Sequence, residues 1–111
     1  MNTPQRDNNP GDLEFHDQPG ATADGRFACF KDAWNGFATL HAQIKLDQDR
    51  GLTFDKFIGK YAPANENDTE KYKQFVCGGL GVLPTDLLSK RSRFAIAGMI
   101  AQMEGFFAQE A

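Results

Sequence analysis

The sequence predicts a single, mainly α domain with a short β-hairpin near its start. Three observations carry this expectation. Stretches after residue 32 repeat apolar residues at helical spacing, two short segments before residue 31 flank an Asp24-Gly25 turn signal, and 111 residues suit one domain. Hydrophobic residues make up 41% of the chain, enough for a core, and ten Phe with Trp34, Tyr61 and Tyr72 supply large rings to fill it.

The elements follow in order. The first 25 residues are rich in Asn, Asp, Pro and Gly, which favour turns. Residues 1–7 read as a flexible tail and 8–111 as the domain. Leu13-Glu14-Phe15-His16 alternates apolar and polar like a half-buried strand, and Arg26-Phe27-Ala28-Cys29-Phe30 is its expected partner. A helix is predicted from Asp32 to Asp49. Trp34, Phe37, Ala38, Leu40, His41 and Ile44 follow helical spacing, with Trp34 read as core, and Gly51 is the stop. Thr53 caps a short helix to Tyr61, which Pro63 closes. Asn67 and Glu70 have capping-box spacing for a helix to about Cys77 that breaks at Gly78-Gly79. Pro84 to Leu88 reads as one helical turn. The last helix, about Ser89 to Phe107, is apolar almost all round and is expected to be the central one.

Composition excludes several functions. A net charge of −3 and a pI of about 5.2 argue against a phosphate-backbone binder, and Lys90-Arg91-Ser92-Arg93 reads as a solvated helix start. No apolar run approaches the roughly 20 residues a membrane span needs, and the first residues lack the apolar centre of a signal peptide. A soluble protein is expected. Cys29 and Cys77 lie outside metal-binding spacing and read as buried thiols, with a disulfide left open. His16 and His41 are isolated, and there is no G-x-S-x-G or phosphate-cradling glycine loop, so no metal or cofactor is expected.

Two carboxylates stand out. From Phe94 to Phe107 the only polar side chains are Gln102 and Glu104. Burial disfavours a charged carboxylate, and a carboxyl group that keeps its proton near neutral pH is what glycosidic cleavage needs as a general acid. The alternative is that Glu104 ends the helix and points to water. Glu66 precedes a helix N-terminus, where negative charge is stabilised, and that structural role suffices for it without function. Asn8-Asn9-Pro10-Gly11 is a turn whose amides are also suited to a polar ligand such as a sugar.

Asn8-Asn9-Pro10-Gly11-Asp12-Leu13 resembles the N-N-P-G-N-[IL] opening of small phage and prophage domains with a lysozyme-like fold, often described as virion structural or cell-wall-degrading proteins. Asp12 stands where that pattern has Asn. Phe27 to Phe30 resembles the F-x-x-F segment that follows. Tyr61-Ala62-Pro63-Ala64-Asn65-Glu66-Asn67-Asp68-Thr69 resembles the [WY]-A-P-x-x-E-N-D-T element, and Leu80-Gly81-Val82 the L-G-V. Met103-Glu104-Gly105 partly matches a terminal H-E-N-G, with Met in place of His. Ile100 to Phe106 is also similar to the I-x-x-Q-E-S-G-F stretch of lytic transglycosylases, whose Glu is the general acid.

The resemblance covers roughly residues 8 to 105. It implies a lysozyme-like domain acting on peptidoglycan glycan strands, as a glycosidase or lytic transglycosylase, in a host cytoplasm or a virion. Glu104 and Glu66 are the implied catalytic residues, and Asn8, Asn9, Glu14 and Tyr61 the implied substrate contacts. Glu14 or Glu66 is the expected second acid of a hydrolase. In glucosaminidase-type relatives the Glu helix precedes the hairpin, whereas here it comes last. A circularly permuted order follows, with the chain ends adjacent and Glu104 opening into a cleft beside the hairpin and Asn9. Two rivals stand beside the enzyme: a catalytically degenerate virion structural protein, and a small inhibitor that binds a host protein.

Overall fold

A computed structural model describes residues 1–109. Side chains that cap helices fix most of the element boundaries. Asp32, Thr53, Asp68 and Ser92 each accept a hydrogen bond from the backbone N–H three residues on, which satisfies a donor that the helix itself leaves open. They start α2 (Ala33–Asp49), α3 (Phe54–Tyr61), α4 (Thr69–Leu80) and α5 (Arg93–Met103), to which α1 (Thr3–Arg6) and a 3-10 turn at Leu88–Lys90 add. The molecule is mainly α, with one antiparallel pair, β1 (Ala21–Asp24) and β2 (Phe27–Phe30).

The helix predicted to cap at Asn67 starts one residue later, at Asp68, and it does not break at Gly78-Gly79. It continues to Leu80 and stops at Gly81, whose φ is +65°. Gly79 serves packing here. A Cβ on it would lie 2.2 Å from Met99 Cε, so the missing side chain lets α5 lie close against α4. Between α4 and α5, Arg91 donates to the carbonyls of Leu80 and Gly81 and is not merely a solvated cation.

Leu40 and Ile44 of α2, Phe54, Phe57 and Ile58 of α3, Val76 of α4 and Ile96 and Ile100 of α5 are fully buried and form the core. α5 packs against both α2 and α4, but it is not covered all round. Phe94 is 75% exposed and Trp34 82% exposed, so Trp34 is not a core residue. The two rings flank an apolar groove of about 730 Å³ between α2 and α5. α2 also carries a fully buried carboxylate, Asp47. Lys60 of α3 reaches it at 2.6 Å, and Gln43 and Arg50 bond it as well. Burial alone would raise its pKa, but these partners outweigh that and hold it below the ordinary carboxylate range.

The hairpin lies later than predicted. Ala21 pairs with Phe30 and Asp24 with Phe27, around a turn at Gly25-Arg26. Residues 13–16 run along the other edge of β2 and meet it at one bridge, Glu14 with Phe27. Cys29 and Cys77 are free thiols. Among the described residues no helix is long and apolar enough to cross a membrane.

Residues 1–7 do not form the loose tail the composition suggests. Asn2 and Gln5 make a reciprocal capping box around α1, and Pro4 and Asp7 are buried. The side chains of this first turn clasp the other end of the chain. Asn2 Nδ2 donates to the Gly105 carbonyl at 2.8 Å, and Gln5 Nε2 donates to the carbonyls of Phe106 and Ala108 at 3.1 and 2.6 Å. The two ends of the described chain therefore meet.

Candidate active site

Helix α5 ends at Met103, so Glu104 is its C-cap, and Gly105 at φ +80° turns the chain towards α1. This places the Glu104 carboxyl at the edge of the core, on the wall of a cleft of about 510 Å³. Residues 11–14 with Arg26 and Phe27 form the hairpin side of the cleft. Lys60 to Pro63 with Glu66 and Asn67 form the opposite side, and Thr39 and Gln43 of α2 line it as well.

Tyr72, buried on α4, donates its hydroxyl to Glu104 Oε2 at 2.6 Å. Burial is the main influence on the Glu104 carboxyl and raises its pKa. The Tyr72 hydrogen bond opposes the rise, and the negative charge of Asp12 adds to it. The net effect is a pKa raised above the ordinary carboxylate value. The tyrosines Tyr61 and Tyr72 stand with ring centroids 6.3 Å apart, and burial raises the pKa of both phenols, so they stay neutral donors. A carboxyl group that keeps its proton and is held by a neutral phenol can deliver that proton to a group in the cleft.

The other predicted residues are distributed unevenly. Glu66 lines the cleft, but its Oε1 pairs with Arg26 at 3.0 Å, so this carboxylate spans from the α3–α4 loop to the hairpin. Glu14 lines the cleft near His16, 3.9 Å away. Tyr61 lines it too, but donates its hydroxyl to the Gly11 carbonyl. Asn8 and Asn9 do not line it. Asn9 is 1% exposed, donates to the carbonyls of Leu13 and Ala28 at 2.9 Å each, and accepts from the Leu13 N–H at 2.9 Å. Asn8 Nδ2 donates to the Phe30 carbonyl at 3.0 Å. Their amides hold the opening turn against β2, and both N–H groups of the buried Asn9 amide are taken by backbone carbonyls.

Three residues of the site had no reading of their own from sequence. Tyr72 looked like one more core aromatic, and Arg26 like a strand residue. Asp12 looked like a change within a turn, yet it lines the cleft at φ +50°, and its Oδ1 is buried with no hydrogen-bond partner among the described residues. Burial raises the Asp12 pKa, against the opposing charge of Arg26. The one available signal was the aspartate itself, a charge in the middle of a turn that an asparagine would build equally well. Neither the family models nor the curated proteins compared with the chain give a match.

Proposed function

We propose that this chain binds glycan strands of peptidoglycan in the cleft and cleaves a glycosidic bond there, with Glu104 as general acid. The observation that carries the reading is the Glu104 carboxyl, part-buried on the wall of an open cleft and raised in pKa by that burial. Tyr72 occupies Oε2, which leaves Oε1 to carry the proton and face the leaving oxygen of the sugar. Protonating that oxygen as its bond to the anomeric carbon breaks removes the cost of expelling an alkoxide. The resemblance of residues 8 to 105 to lysozyme-like phage domains supports the substrate class. The clasp between the first turn and residues 105–108 suits a permuted order, in which the Glu helix and the hairpin segment adjoin through the chain ends.

The test is release of soluble muropeptides from purified peptidoglycan by the wild type and by Glu104→Gln. Release that falls at least a hundredfold in the variant supports the reading, since a positioned general acid contributes roughly 10²–10⁴. A specific observation favours a second reading, the degenerate binding module: Trp34 and Phe94 flank an exposed apolar groove that shares no lining residue with the Glu104 cleft. Absence of release from both proteins sinks the enzyme and leaves that module.

A further inference from the structure

The glycan-cleaving reading requires either a base that activates water or an internal nucleophile of the substrate. The geometry points to Asp12 as the base, so that the reaction is a hydrolysis in which a water molecule attacks the anomeric carbon directly. This inference rests on the reading of Glu104 as the acid. Asp12 and Glu104 line the same cleft from different parts of the chain, the opening turn and the end of α5.

What sets Asp12 apart from the other cleft carboxylates is its lack of partners. Glu66 is tied to Arg26, and Glu14 lies 3.9 Å from His16. Asp12 has a buried Oδ1 that no described residue bonds. Leaving a carboxylate oxygen buried and unpaired is costly; the buried Asp47 avoids it with three bonds, and the one other such oxygen among the described residues, Asp7 Oδ2, does not line the cleft. The residue is also fixed in place. Its N–H donates to the Asn9 carbonyl at 3.0 Å, the next residue is pinned by the Asn9 side chain, and its φ is +50°, in the left-handed region that most residues avoid. A rigid backbone therefore holds an unpartnered carboxylate at the cleft. Arg26, on the same side of the cleft, opposes the rise in the Asp12 pKa that burial, Asp7 and Glu14 produce.

The step balances without another reagent. The oxygen of water bonds to the anomeric carbon as the bond from that carbon to the bridging oxygen breaks. One water proton passes to Asp12, and the Glu104 proton passes to the leaving oxygen. The product is a reducing sugar with inverted anomeric configuration. Without such a base, the substrate's own C6 hydroxyl closes on the anomeric carbon, its proton passing to the carboxylate that Glu104 becomes on protonating the leaving oxygen, and gives a 1,6-anhydro sugar.

The experiment is product analysis on purified peptidoglycan in H₂¹⁸O, comparing wild type, Asp12→Asn, Asp12→Gly with sodium azide, and Glu104→Gln. Asparagine tolerates the left-handed backbone as aspartate does, and glycine adopts it freely, so both variants keep the turn. The expected result is ¹⁸O in the reducing-end sugar from the wild type and a fall of a hundredfold or more with Asp12→Asn. Azide restores release from Asp12→Gly as a glycosyl azide. Wild-type products that are anhydro sugars free of ¹⁸O, or Asp12→Asn at the wild-type rate, overturn the role of Asp12 while cleavage by Glu104 stands. Absence of release from the wild type overturns the cleavage reading itself, and this inference with it.

Discussion

Glu104 was legible in the sequence because a carboxylate at the end of an almost wholly apolar helix is an anomaly, and anomalies of polarity survive the loss of three-dimensional information. Tyr72 was not, because an aromatic at helical spacing is ordinarily core, and Tyr72 is core as well: its ring is buried while its hydroxyl reaches the Glu104 carboxyl. The pair has a pH signature whose sign is fixed. Tyr72 lowers the Glu104 pKa against the rise from burial, so Tyr72→Phe raises it further. A general acid acts while protonated, and the alkaline limb of the rate profile for peptidoglycan release therefore moves to higher pH in the variant. Loss of one hydrogen bond costs about 1 kcal/mol of stability. An alkaline limb that stays in place removes Glu104 as the titrating acid. Linkage adds a second expectation. A carboxyl raised in the folded state contributes stability that is present below its unfolded pKa and lost as pH rises through the folded value. Glu104→Gln removes that loss, so its thermal midpoint exceeds the wild type's at pH 8 and the gap closes at pH 4.

Helix boundaries were legible wherever a capping side chain or a left-handed glycine marked them, as at Asp32, Thr53 and Gly51, because those signals are local. Which face of a helix is buried was less so. Trp34 shares approximate helical spacing with Leu40, but at 100° per residue it lies about 120° around the helix from it, and the buried face follows Gly36, Leu40, Ile44 and Asp47. The hairpin was misplaced for a related reason. Ala21–Asp24 carries little alternation, and its pairing with β2 is decided by the turn at Gly25-Arg26 and not by apolar pattern. Gly36 shows how element docking depends on one atom. A Cβ there would stand 1.9 Å from the Asn8 carbonyl oxygen and 2.8 Å from Pro10 Cδ, so α2 meets the opening turn only through glycine. Gly36→Ala is expected to cost about 3 kcal/mol, at the upper end for overpacking, because the obstacle is backbone. Gly59 on α3 is the counterpart: nothing lies within 4 Å of its Cβ position, and Gly59→Ala should stabilise by about 0.5–1 kcal/mol. Urea denaturation of the two variants measures both signs, and equal effects would mean that helix propensity alone is at work.

The clasp between α1 and residues 105–108 could not be read from sequence, since it joins side chains and carbonyls more than 100 residues apart in a stretch whose composition resembles a tail. Its consequence concerns chain order. Because the ends meet, the fold depends on which elements adjoin and not on where the chain is cut. A permutant that links residue 109 to residue 1 through a short glycine–serine linker and opens between Ala64 and Asn65 tests this. Both residues are exposed, and the backbone bonds of that loop, from Glu66 and Asn67 to the Pro63 carbonyl, are few. In the permuted chain α5 and Glu104 precede the hairpin, the order found in glucosaminidase-type domains. The loop that carries Glu66 becomes the new start, so its ion pair with Arg26 loosens while the opening turn, Tyr72 and Glu104 keep their surroundings. The permutant is expected to melt cooperatively within several degrees of the wild type. Its release of muropeptides should match the wild type if Asp12 and Glu104 carry the chemistry, and should collapse if Glu66 does. A cooperative melt with full release thus assigns Glu66 to shaping the cleft mouth. A permutant that loses its cooperative transition would instead mean that the α3–α4 loop, and not the clasp, holds the two sides of the cleft together.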